Sequence, residues 1–364
     1  MSASDSNGGT AKLNNHLPPG QRTRTIALLG GLGLLLLVLV IVSAGIGQMH
    51  LPPAEVIHIL AKQLNLNIGE VPLTENAETV VLSIRLPRLV MACLVGAALA
   101  VAGSLMQGVF RNPLADPGVI GVSSGAAAAT CAGIVLGASA LGPWWLAAFA
   151  FTGGITATLL VYWLSRSGGR TEVVTLVLTG VAVNAVCGAA IALFVFLADT
   201  SAREEIIFWQ LGSLNGIRWS YVAVAAPIVA VSMVLALTLG GKLDLLALGE
   251  RPARHLGVDV ERLRISAIVL VACLTAAGVA FCGIIAFVGL VVPHLVRMVA
   301  GPGHGVLLPA SALGGALLLT GADLVARTAV NYADLPIGML TSLVGGPFFF
   351  YLLSRTRRQA GGWA

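Results

Sequence analysis

Charge is what this sequence has least of. Only 10% of its 364 residues are Asp, Glu, Lys or Arg, while 57% are hydrophobic; a soluble domain carries about 25% charged residues. That balance excludes a water-soluble globular fold and requires an integral membrane protein. Paired cysteines are missing as well. Cys93, Cys131, Cys187, Cys273 and Cys282 fall in or at the edge of apolar runs, and none forms a C-x-x-C pair, so neither a metal site nor a redox motif is read. No G-x-x-x-x-G-K-[ST] segment occurs, which excludes phosphate binding in the P-loop manner. No Ser/His/Asp set or carboxylate pair stands out, leaving an enzyme reading little to rest on. A net charge of +5 raises nucleic acid as a partner, but there is no soluble basic domain to bind it.

What is present is a series of apolar runs, each long enough to cross a bilayer, which needs about 20 residues. Ten can be placed between Thr25 and Leu353, with forty-four glycines that suit helices approaching closely in lipid. The first, Thr25 to Ala44, has no charge and is longer than the apolar core of a signal peptide, so it reads as an uncleaved span. The second is expected to follow Arg85-Leu-Pro-Arg88 and to end at Gln107. Residues 1–24, rich in Ser, Asn and Gly, read as a disordered cytoplasmic tail. Residues 25–358 then form one ten-span domain, and 359–364 a short C-terminal tail. The expected fold class is an all-α membrane protein with about ten transmembrane helices. With the N-terminus inside, the cytoplasmic segments hold fifteen Lys/Arg and seven Asp/Glu, leaving six and nine on the other side. The positive-inside rule therefore places both termini, and the loop 242–264, in the cytoplasm of a multi-pass membrane protein.

That loop is the most charged stretch among the spans. Glu250 suits the positive end of a short helix, Pro252 its first turn, and Gly257 a left-handed stop after Leu256. Asp259 reads as the N-cap of the next span. On composition alone, a solvated loop that only joins two spans is an equally open reading. The run L-G-E-x-x-A-x-x-L-G, from Leu248 to Gly257, resembles the coupling loop of the FecCD-type permeases. These are the membrane subunits of type II ATP-binding-cassette importers for haem, ferric siderophores or cobalamin. The resemblance extends from about Thr25 to the C-terminus and implies a type II importer permease architecture, with the loop docking into a cytoplasmic ATPase. Leu248, Gly249, Glu250, Ala253, Arg254, Leu256 and Gly257 are the coupling residues it implies.

Three further places attract attention. Arg85 and Arg88 share a helical face beside Pro87, a residue suited to a helix start. With Arg327 they are basic on the side where Lys and Arg are scarce. Snorkelling to headgroups is the plain reading; the matches to R-L-P-R and A-R-x-A imply docking of an extracytoplasmic binding protein. Asn112-Pro-Leu-Ala-Asp-Pro117 cannot be one continuous helix. Non-helical backbone near membrane depth is tolerated only against protein or a water-filled cavity. A tight turn between spans is one reading; the resemblance makes Asn112, Pro113 and Leu114 a cytoplasmic gate, completed by Val173 and Val174 at the start of the fifth span. Gln107 and Asn184 either line the pathway or hydrogen-bond between helices. Pro293-His294 with Arg297 matches the family's V-P-H-x-x-R segment, and no metal is assigned to it.

The resemblance implies a non-enzymatic transport subunit in the bacterial cytoplasmic membrane. It would work as a dimer, a homodimer being favoured, with two copies of a separate ATPase that binds the ATP and Mg; this chain holds no cofactor. The expected cargo is an iron complex. The stretch Leu335 to Phe350 looks closest to haem-type members, with ferric siderophore and cobalamin as the alternatives. An ion-gradient-driven secondary transporter is the competing class; it calls for intramembrane charge, and only Asp323 offers it. A non-transporting scaffold would need no gate-like turn.

Overall fold

The computed structural model describes residues 19–359 apart from 48, 50, 64, 67–75, 168–169 and 331, so most of the two expected tails lies outside the described residues. Helix α1 (Pro19–Gly45) begins six residues before Thr25. This corrects the tail boundary at residue 24: once an apolar helix is nucleated, extending it costs little. At the other end Gln359 closes helix α14 (Ile337–Gln359) rather than opening a tail.

Between them run α2 (Pro53–Lys62), α3 (Ala77–Thr79), α4 (Leu86–Phe110), α5 (Val122–Val135), α6 (Pro143–Leu164), α7 (Val173–Leu197) and α8 (Thr200–Leu211). They are followed by α9 (Trp219–Ala247), α10 (Glu250–His255), α11 (Val260–Cys282), α12 (Val288–Ala300) and α13 (His304–Thr328). Among the described residues, seven helices are long and apolar enough to cross a membrane: α1, α3–α4 as one rod, α6, α7, α9, α11 and α13. The shorter apolar helices Val122–Val135, Val288–Ala300 and Ile337–Tyr351 bring the number of apolar elements to the ten expected. Among the described residues the only strands are β1 (Arg166–Ser167) and β2 (Arg170–Thr171), an antiparallel pair joining α6 to α7.

The core sits around α4 and α11, whose apolar windows are 78% and 72% buried, whereas α1 and α7 lie outside with 0% and 11%. Close approach explains the position of α4. A Cβ on Gly103 would stand 1.8 Å from the Gly289 carbonyl oxygen, and one on Gly96 2.2 Å from that of Gly315. Only glycine lets α4 press against the backbones of α12 and α13 in this way.

The second span departs from expectation. It does not start at Pro87: helix runs unbroken from Ala77 to Phe110 through a π-helical segment at Val80–Arg85. There the Leu86 N–H bonds to the Val81 carbonyl, and the next residue, Pro87, has no N–H to give. The Leu82 carbonyl would be left unpaired, and Trp219 Nε1 donates to it at 2.8 Å from the start of α9. A π turn closed by a side chain on a neighbouring helix lets a proline sit inside a span. Residues 199–219 contain α8, whose N-cap Asp199 accepts from the Ala202 N–H at 2.8 Å.

Candidate functional site

The loop 242–264 forms the predicted elbow. Gly249, at φ +118°, turns the chain off α9 and caps α10; Gly257, at φ +84°, ends it. The Gly257 N–H returns to Arg254 and the Val258 N–H to Ala253, both at 3.0 Å, so the left-handed glycine satisfies carbonyls at the helix end. Asp259 caps α11 by accepting from the Arg262 N–H at 3.0 Å. Leu248 and Leu256 are 64% and 59% exposed, and Arg254 and Gly257 are also exposed. These four make an outward face. Ala253 does not belong to it. It is fully buried in the main core cluster, because a six-residue helix lying against a bundle must turn one side inward. Its assignment as a docking contact is therefore corrected to a packing residue. Glu250 is partly covered and engaged: Arg254 lies 3.5 Å away, and Arg264 donates to its Oε1.

The turn after α4 lies beside this loop. Arg111 takes the left-handed conformation (φ 51°) that ends the helix, and its guanidinium reaches the space next to Gly249. Asn112 Oδ1 accepts from the Leu114 N–H at 2.9 Å, and Asp116 Oδ1 from the Gly118 N–H at 2.7 Å. These are side-chain turns that replace helical bonding where the two prolines forbid it. A groove of about 310 Å³ is lined by Asn112, Leu114, Val173 and Val174, with Phe110 and Val177 behind them. Four of the five gate candidates thus share one surface, and Pro113 is exposed beside them. Asn184 tethers the arrangement, its Nδ2 donating to the Gly118 carbonyl at 3.2 Å. Gly180 permits the contact, since a Cβ there would stand 1.9 Å from the Val119 carbonyl oxygen.

At the opposite end of the bundle the three arginines are interior. Arg85, Arg88 and Arg327 are 5%, 9% and 6% exposed. Arg85 Nη1 donates to the carbonyls of Ala44 (2.6 Å) and Gly45 (2.9 Å), and its Nη2 to that of Met49. Arg327 Nη2 donates to both the carbonyl and the hydroxyl of Ser43. Two arginines thus take the orphan carbonyls at the C-terminus of α1, where the helix dipole favours a cation. Arg88 Nε meets Asp323 Oδ1 and its Nη1 meets Asp334 Oδ2, each at 2.7 Å. Asp323 also faces Arg327 at 3.6 Å. None of the three stands as a free surface charge: Arg85 and Arg327 donate to the end of α1 and Arg88 to two acids. The ion-coupling reading loses its one intramembrane acid by the same observation. Gln107 is interior as well. It is 1% exposed, donating to the Leu290 carbonyl at 3.3 Å and accepting from Arg297 at 3.4 Å. It therefore bridges α4 and α12, the interhelical hydrogen bonding that was one of its two readings.

A charged elbow lies beside a proline-broken turn, among ten apolar helices in the described residues. A sequence model of the FecCD transport family matches residues 35–355. The chain belongs to the FecCD transport family. As a FecCD protein it is a multi-pass membrane permease subunit of an ABC importer. It is 44% identical over 286 residues to the hemin transport system permease protein HmuU of Yersinia pestis, covering 77% of this chain and 85% of that one. It is also 44% identical over 278 residues to the Fe(3+) dicitrate transport system permease protein FecD of Escherichia coli (76% and 86% covered). A third relative at 44%, over 281 residues, is the cobalamin import system permease protein BtuC of Halobacterium salinarum (77% and 74% covered). Among solved structures, an inward-facing metal-chelate type ABC transporter superposes with a TM-score of 0.78 at 33% identity, covering 90% of this chain and 98% of that one.

Two constellations of this FecCD chain escaped the sequence. His304, buried at the start of α13, has its backbone N–H (2.8 Å) and its Nδ1 (2.6 Å) on Asp244 Oδ1 near the end of α9. Arg264 Nη1 donates to the Thr171 carbonyl at 2.7 Å, while Glu261 Oε1 and Oε2 accept from Thr171 Oγ1 (2.5 Å) and N–H (3.1 Å). The signal for the second was present in the spacing of Glu261 and Arg264, one turn apart on one face of α11.

Proposed function

We propose that this chain carries an iron complex, haem first among them, across the cytoplasmic membrane into the cell. It would act as one half of a dimer driven by two copies of a separate ATPase. The observation that carries the reading is the exposed face of α10 set directly beside the gate groove. Leu248, Arg254, Leu256 and Gly257 offer the ATPase a contact surface, and Asn112, Leu114, Val173 and Val174 lie where its push would be felt. On the charge count this end is cytoplasmic, as are both termini. The end built by Arg85, Arg88 and Arg327 then faces an extracytoplasmic binding protein, with the arginines shaping that face from within.

Support for an iron complex comes from the 44% identity to both the hemin and the Fe(3+) dicitrate permeases, and for haem from the stretch Leu335 to Phe350. Cobalamin is the second reading, favoured by the equal identity to the Halobacterium salinarum protein. Proteoliposomes holding the permease with its ATPase and binding protein separate these readings. With ATP inside, haem should accumulate above the level seen without ATP, and cobalamin should not. Accumulation of cobalamin alone moves the assignment to the second reading. Accumulation of neither haem, a ferric siderophore nor cobalamin removes the transport proposal.

A further inference from the structure

We infer that Arg264 is the positioning residue that carries movement of the coupling helix to the proposed gate at the start of α7, through Thr171. The inference rests on the proposed docking of an ATPase on α10. Arg264 sits in the second turn of α11, with its side chain 6% exposed. One guanidinium nitrogen meets Glu250, the first residue of α10, and the other meets the carbonyl of Thr171. Thr171 is itself buried, and α11 holds it at three points: Glu261 takes its hydroxyl and its N–H, and Arg264 its carbonyl. Only Glu172 separates this clamped residue from Val173 and Val174. The Glu172 carbonyl already accepts from the Leu176 N–H at 2.9 Å, so the first turn of α7 starts directly from the clamp. The path from α10 to the gate groove is thus Glu250, Arg264, Thr171, α7.

The chemistry of the link depends on arginine. A guanidinium is planar, and its two terminal nitrogens hold a carboxylate and a carbonyl at a set separation; a lysine ammonium is a point charge without that fork. Arg264 is buried while Arg251, Arg254 and Arg262, on or near the same loop, are exposed. A residue that merely fastened the loop would affect its stability. A residue that transmits motion affects how the gate answers nucleotide in a loop that is still docked.

The test uses the full permease reconstituted with its ATPase and binding protein. Wild type, Arg264→Lys and the exchange Glu250→Arg/Arg264→Glu are compared. Association with the ATPase should stay within about twofold, because the exposed face of α10 is kept. Ligand-stimulated hydrolysis should fall about tenfold, as expected for loss of one charge-assisted hydrogen bond. Maleimide labelling of Val174→Cys, in a chain whose native cysteines are replaced, should stop differing between the nucleotide-free and ATP-bound states. The exchange restores an ion pair but leaves Glu at position 264, which cannot donate to the Thr171 carbonyl; it should remain uncoupled. A second variant leaves Arg264 untouched and covers the case in which its replacement misfolds: a Gly-Gly insertion between Glu172 and Val173 adds slack and should uncouple the gate equally. Wild-type stimulation and nucleotide-dependent labelling in Arg264→Lys, the exchange or the insertion variant would overturn the role of Arg264 while leaving the transport reading intact. A wild-type complex that neither retains the ATPase nor responds to ligand would overturn both.

Discussion

The two ends of the bundle use the same residue type in opposite ways. At one end Arg85, Arg88 and Arg327 are buried, and their donors go to the last carbonyls of α1, to Ser43 and to Asp323 and Asp334. At the other, Arg251, Arg254 and Arg262 stand exposed on a short loop, and only Arg264 is drawn inside. Burial is expensive for a charge unless each donor finds a partner. The first end is accordingly an interior network centred on Asp323, which Arg88 and Arg327 share, with Arg85 fastened to the end of α1, and the second an open surface with one internal tie. Arginines at the first end hold the helices together, and those at the second are left available to another molecule. Their positions along the chain do not distinguish the two cases; their partners do.

The comparison can be broken most forcefully at Asp323, which is 0% exposed and faces both Arg88 and Arg327. Asp323→Ala leaves buried Arg327 without an acid and Arg88 with Asp334 alone, a change that costs about 3–5 kcal/mol. A strongly lowered yield and melting temperature in detergent are expected, and a variant melting like the wild type would show that the network is not centred on Asp323. Next in size is Ala253→Asp. The side chain is fully buried under α10, and placing an unpaired carboxylate there should destabilise the loop by about 1–3 kcal/mol, read as faster proteolysis between Leu248 and Asp259. Had Ala253 been a docking contact, the variant would resist protease like the wild type and lose only its affinity for the ATPase.

Smaller still is Asp259→Ala, which removes the N-cap of α11 and should cost about 1 kcal/mol. The melting temperature should drop by a few degrees, and Asp259→Asn, which keeps an accepting oxygen, should restore most of it. At the low end, Arg254→Glu alters an exposed residue whose ion pair with Glu250 is a 3.5 Å contact within the helix. Surface changes of this kind stay within about 0.5 kcal/mol, so the melting temperature should hold. Association with the ATPase should weaken and become less sensitive to salt, because an exposed charge acts over a screening length of about 8 Å. The matching change at the other end, Arg88→Glu, should do the reverse. It should lower stability sharply at every salt concentration, since its partners are inside.

Much of the architecture was written locally. Apolar runs of about 20 residues must be satisfied as helices in lipid, so ten elements could be placed before any contact was known. Gly249, Gly257 and Asp259 act on their own neighbours in the chain, as do Asn112 and Asp116, and each behaves in the structure as its type and position require. The proline-broken gate turn and the charged elbow were legible for the same reason. Even Pro87 carried a true signal, a missing N–H; only its consequence differed, because Trp219, 132 positions along, closes the gap by donating to Leu82.

What the sequence determined by itself is thus the set of helices, their caps and the turns between them, all decided by bonds that reach no more than a few residues along the chain. The tertiary structure decided which polar side chains face the interior and which are offered outward. Arg88 finds its acids 235 and 246 positions away, Arg327 reaches back 284 positions to Ser43, and Arg264 reaches back 93 to Thr171. A guanidinium is the same group whether it caps a distant helix, ties a loop to the residue before α7 or stands exposed. Its role depends on the acceptor within about 3 Å, and the fold alone brings that acceptor there.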